Sequence, residues 1–91
     1  MKSITTAQQI CKTWHLTDHE TRQLLDQPRA AQQIVTINEG LYRIYDLDQE
    51  RASAWIKTPN GAFDNEPPIR IMLAGDLKRV RQYVMYHVYN A

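Results

Sequence analysis

Cys11, His15 and His19 stand at steps of four residues. On an unbroken helix they would share one face and could ligate zinc. The intervening Leu16-Thr17-Asp18 reads instead as a joint between two helices, which takes that alignment apart, and no second ligand pair occurs elsewhere. The reading is a packed cysteine and two surface histidines. No nucleophile–base constellation, glycine-rich phosphate loop or HExxH sequence is present. Asp46, Asp48 and Glu50 sit where a helix N-terminus attracts negative charge, so capping accounts for them. With no set of residues filling the roles of a reaction centre, the chain reads as a non-enzyme that uses no metal and no cofactor.

Recognition chemistry is better represented. Counting about 100° per residue along the C-terminal segment, Lys78, Gln82, Tyr86 and Tyr89 fall on a solvent-facing side. Arg81 falls between Leu77, Val84 and Val88. It either snorkels at the edge of the core or projects toward a partner. Tyr83, Tyr86 and Tyr89 are three of the five tyrosines. Exposed tyrosine beside arginine is the composition of an interface hot spot, and equally of a layer capping a small core. Upstream, the stretch from Trp55 to Asp76 concentrates structure-breaking residues around the sole phenylalanine, Phe63. Pro59 stops a helix, Asn60-Gly61 turns the chain, and Pro67-Pro68 restarts it. Phe63 then plugs back into the core or into a partner. Prolines lower the entropy of such a loop, which suits a surface presented in one shape.

The elements that position these residues are helices, because apolar spacings of three and four recur and no segment alternates for long. Thr6 with Gln9 and Thr17 with Glu20 are two capping-box pairs, heading short helices that end near His15 and near Asp26. A longer helix spans about 30–45, with Ile34, Ile37, Leu41 and Ile44 as its apolar stripe. Gly40 costs that helix roughly 1 kcal/mol relative to alanine and would permit close helix–helix approach. Asp48 caps the next helix, whose inner face is Ala52, Trp55 and Ile56. Pro68 suits a first helical turn, Gly75 a C-terminal stop, and Asp76 the cap of a last helix carrying Leu77, Val80, Val84 and Val88. The expected fold is all-α, a small bundle of about six helices.

A chain of 91 residues can bury one modest core. Its formal charge of +1 lacks the footprint of a dedicated nucleic-acid binder. One cysteine cannot form an internal disulfide, and no apolar run approaches the roughly 20 residues of a membrane span. The first residues lack the apolar core of a signal peptide, so the expected location is the cytoplasm.

The ordered set Ala52 and Trp55, Pro59-Asn60, Ala62-Phe63, Pro68, Gly75 and "KRVRQYV" from Lys78 to Val84 resembles the toxin-binding domain of the Xre/MbcA/ParS antitoxins, from about Leu41 onward. The resemblance implies an antitoxin of a bacterial type II toxin–antitoxin module. Its partner would be a RES-domain toxin that degrades NAD, inhibited by covering the active site. The residues expected at that contact are Asn60, Phe63, Arg81, Tyr86 and Tyr89, and the chain would form a homodimer. Two departures stand out. Pro67 occupies the place of a helix-capping small or hydroxyl residue. The first helix pair resembles the start of the family's DNA-binding part, but the chain reaches its long helix too soon after Leu25 for a separate recognition helix. The expected division is therefore a reduced helix-turn-helix-like region at 1–29 and a toxin-binding helical domain at 30–91. The shortening weighs against operator binding. The alternatives are a small DNA-binding regulator using Arg29, Lys78, Arg79 and Arg81 on phosphates, and a helical self-assembling domain without a toxin.

Overall fold

A computed structural model describes residues 2–90. Six helices follow one another: α1 (Lys2–Thr13), α2 (Asp18–Leu25), α3 (Ala30–Ile44), α4 (Gln49–Lys57), α5 (Pro68–Leu73) and α6 (Leu77–Tyr89). A 3-10 turn at Gly61–Phe63 lies between α4 and α5. Among the described residues there is no strand, only an isolated bridge between Asn60 and Glu66. The expected all-α bundle is what the chain forms.

Most helix ends follow their local signals. Thr17 and Glu20 form a complete capping box, each side chain bonded to the other residue's backbone N–H. Asp48 and Asp76 accept from the N–H of Arg51 and Arg79. Gly75, at φ +104°, lets Asp76 N–H reach back to the Ile71 carbonyl and its own N–H to that of Met72. That is the Schellman ending a glycine there favours. His15 and Asp46 close α1 and α3 in the same left-handed way without being glycine. Pro68 is the first residue of α5, and Pro67 before it provides no side-chain cap.

The other expected box fails. α1 begins at Lys2, so Thr6 and Gln9 lie inside it. Ala7, Ile10, Cys11 and Trp14 make one buried stripe, which continues the helix through the would-be cap. α1 also stops at Thr13, short of His15, where the chain turns left-handed. Cys11 is therefore enclosed in the core while His15 and His19 are exposed on either side of the joint. Burial pushes the Cys11 thiol up to about 11, against a smaller opposing pull from its hydrogen bond with Thr21. A thiol so disposed is packing, not a ligand or nucleophile.

α3 is the element the others are built on, packing along both α6 and α1. Ile34, Ile37 and Leu41 are enclosed, but Ile44 is 38% exposed, because the stripe runs past its cover at the last turn. Gly40 lies directly against α6: a Cβ there would collide with Val84 Cγ1 and touch Met85 and Val88. The close approach expected of this glycine is thus spent inside the chain, between α3 and α6. Side chains also cap helices they do not belong to. Gln27 and Gln23 donate to the carbonyls of Met72 and Leu73 at the end of α5. Ser53 and Lys57 of α4 donate to the carbonyls of Thr13 and His15 at the end of α1. Two buried polar atoms, Trp14 Nε1 and Asn38 Oδ1, have no partner among the described residues.

Candidate functional site

α6 presents four sides. Its buried side is Leu77, Val80 and Val84. Its outer side is Lys78, Gln82, Tyr86 and Tyr89, all exposed as the 100° count requires. The two edges between them differ in kind.

On one edge, Tyr83 stacks on Trp55 with centroids 6.0 Å apart and planes 15° from parallel. Phe63 meets Tyr83 edge-on at 5.1 Å and Trp55 at 6.4 Å. His87 continues the row from Tyr83 at 4.4 Å, and Tyr86 meets His87 at 5.5 Å. Phe63 is only 1% exposed, so of the two places left open for it, the interior is the one it takes. What holds it there is the loop at 60–66. Asn60 Oδ1 accepts from Ala62 N–H at 2.9 Å. The Asn60 carbonyl accepts from both Phe63 and Asn65, and its N–H donates to Glu66. Asp64 and Asn65 both adopt left-handed conformations to close the loop. Arg79 fastens it to α6, with its guanidinium 5.1 Å above the Phe63 ring and one NH2 on the Ala62 carbonyl at 3.3 Å. Trp55, expected on the inner face, is half-buried. Part of it borders a groove of about 140 Å³ shared with Leu41, Ile44, Tyr83 and His87.

On the other edge, Arg81 is half-buried and its Nε donates to Gln33 Oε1 of α3 at 2.9 Å. Its head lies in a cleft of about 550 Å³ that also receives Arg29 and Lys78. Arg81 is thus a residue at the rim of the core whose charged end reaches open space, as both readings of it required in part.

The five expected contact residues therefore do not converge. Asn60 uses its side chain as a cap and Phe63 is interior. Arg81 faces α3, while Tyr86 and Tyr89, 63% and 77% exposed, lie on the outer side. From Arg79, at the loop, to Tyr89 is about 15 Å along the axis. Arg79 as the loop's clamp was not foreseen. Its position about 200° around the helix from Arg81 already separates the two arginines that the DNA-binding alternative had grouped.

A family model described as the antitoxin Xre/MbcA/ParS C-terminal toxin-binding domain matches residues 41–87. That stretch opens in the last turns of α3 and closes in the last turn of α6. No curated protein and no solved structure was found to match the chain.

Proposed function

Since the chain belongs to the Xre/MbcA/ParS antitoxin family, whose toxin-binding domain spans residues 41–87, we propose that it inhibits a RES-domain, NAD-degrading toxin by covering its active site with the outer side of α6. The observation that carries this reading is the exposure of Tyr86 and Tyr89 on a helix whose opposite side is core. Two large aromatic groups in water at one end of a helix offer apolar area at little cost in side-chain entropy, the usual make-up of an interface anchor. Arg81 lies at the edge of the outer side of α6, and Asn60 and Phe63 act at the other end of the helix by holding the loop at 60–66 in one shape. The protein acts by binding alone, without catalysis or cofactor, in the bacterial cytoplasm. No described helix is long and apolar enough to cross a membrane.

The reading is tested by co-purification with a candidate RES-domain toxin, scored by complex size and residual NAD degradation. Tyr86→Ala with Tyr89→Ala should abolish the complex and restore NAD loss, with the melting temperature kept. Full inhibition by that double variant would remove the outer side of α6 from the contact. Arg81→Ala sharpens the test: retained stability with lost inhibition puts the guanidinium in the toxin contact, and intact inhibition takes it out.

A homodimer belongs to the same proposal, although α3 is already covered by α6 and α1. The apolar surface left for a second copy is the corner after α3, where Ile44 is 38% and Leu47 76% exposed. A monomeric mass in sedimentation at micromolar concentration would remove it. A DNA-binding regulator is favoured only by the gathering of Arg29, Lys78 and Arg81 around one cleft. The formal charge of +1 and the engagement of Arg79 with the loop count against it. Steep weakening of complexes by salt would mark phosphate binding, while an apolar toxin contact would change little.

A further inference from the structure

The cleft between the start of α3 and the first two turns of α6 is cationic without relief. Arg29, Lys78 and Arg81 line it with Gln32, Gln33 and Thr36, and no carboxylate does. The one ion pair among the described residues is Arg70 with Glu66, at 3.9 Å, so none of the three cations is held in an ion pair. A concave surface lined by one sign of charge focuses its field on whatever enters. The guanidinium of Arg81 is also oriented. Its Nε is committed to Gln33 Oε1 at 2.9 Å, which leaves both terminal NH2 groups as a fork for oxyanions. Gln33 accepts through its oxygen, so its NH2 remains a donor. Arg29, the N-cap of α3, holds a left-handed conformation and supplies no side-chain cap. Ala30 N–H donates to the Gln27 carbonyl at 3.2 Å, while no side-chain cap serves the next N–H groups of the helix at the same end of the cleft.

We propose that this cleft is a binding site for linked phosphates, a pyrophosphate group either free or carried by a nucleotide. Three cations and an oriented fork exceed what a single carboxylate would neutralise. The volume of about 550 Å³ lies within the roughly 300–1,000 Å³ of small-molecule sites. Of the lining side chains only Pro28 lacks a polar group, which suits phosphates better than an apolar tail. A duplex backbone fits less well, because the fourth nearby cation, Arg79, is turned away onto Phe63.

The experiment is isothermal titration of the full chain with sodium pyrophosphate, ADP, AMP and inorganic phosphate at one ionic strength, beside a labelled short duplex DNA. Pyrophosphate should bind at least about tenfold more tightly than phosphate, and Lys78→Gln and Arg29→Gln should each weaken it by about tenfold or more. Both variants should keep the wild-type melting temperature to within a few degrees. ADP binding more tightly than pyrophosphate would assign the site to a nucleotide. Pyrophosphate as the tighter ligand would assign it to the free diphosphate. The proposal is overturned if the folded wild type shows no pyrophosphate binding at about 1 mM, or if neither variant changes that binding. It is equally overturned if duplex DNA alone binds and loses affinity in the variants.

Discussion

The two edges of α6 are built from the same helix and serve opposite ends. The Tyr83 edge is closed: each ring meets another ring, and Arg79 seals the loop over Phe63. The Arg81 edge is open, with three cations around a cleft and one side-chain hydrogen bond to α3. Packed and paired groups hold a fold together, while like charges gathered at a surface repel one another and are available to a partner. The difference separates a packed aromatic edge from one whose cations face an open cleft.

Truncation on the closed edge should have the largest effect. Phe63→Ala removes an enclosed ring and should cost about 3–5 kcal/mol, a large share of the about 5–15 kcal/mol of a small domain. Chemical denaturation would show it. A loss under 1 kcal/mol would mean that the loop, not the ring, supports α6. Trp55→Ala should cost about 3 kcal/mol, the low end for an aromatic truncation, because the ring is only half-buried. If it keeps stability and loses the toxin instead, Trp55 is a contact residue on the Tyr83 edge. Gly40→Ala, at the seam between the two edges, should cost about 1–3 kcal/mol for the collision with Val84, against about 1 kcal/mol regained in helix propensity. Adding Val84→Ala should recover part of that loss, and a purely additive double variant would rule the contact out. The smallest effect belongs to the open edge. Lys78→Gln or Arg29→Gln should raise stability by about 0.2–0.5 kcal/mol at low salt. The gain should disappear in high salt as charges are screened. A destabilising Lys78→Gln would show that the cation has a structural partner.

What was legible in the sequence is what is decided within one or two turns of chain. The caps at Thr17, Asp48 and Asp76, the proline start of α5 and the turn at Gly75 depend on neighbouring residues, and each is where its residue type indicated. So is the exposure of Lys78, Gln82, Tyr86 and Tyr89, which needs only the helical period. What depended on a distant partner was not legible. Thr6 and Gln9 satisfy a cap pattern that the buried stripe of α1 overrides. Phe63 goes inward because Tyr83, twenty positions later, offers an edge to receive it. Gly40 reads as an opportunity for close approach, but only the packed helices show that Val84 takes it. The cleft joins residues 29 and 81, a proximity that no periodicity encodes.

The matched stretch begins at Leu41, one residue beyond the glycine on which α6 rests. Cutting the chain there would divide α3 and discard Ile34 and Ile37, both wholly enclosed. The matched stretch is thus smaller than the packed unit of which it is part. A fragment of residues 41–87 should show little helical circular dichroism on its own. Grafting this domain onto another protein would require the upstream half of α3, and α1 packed against it, to be carried along as an internal chaperone.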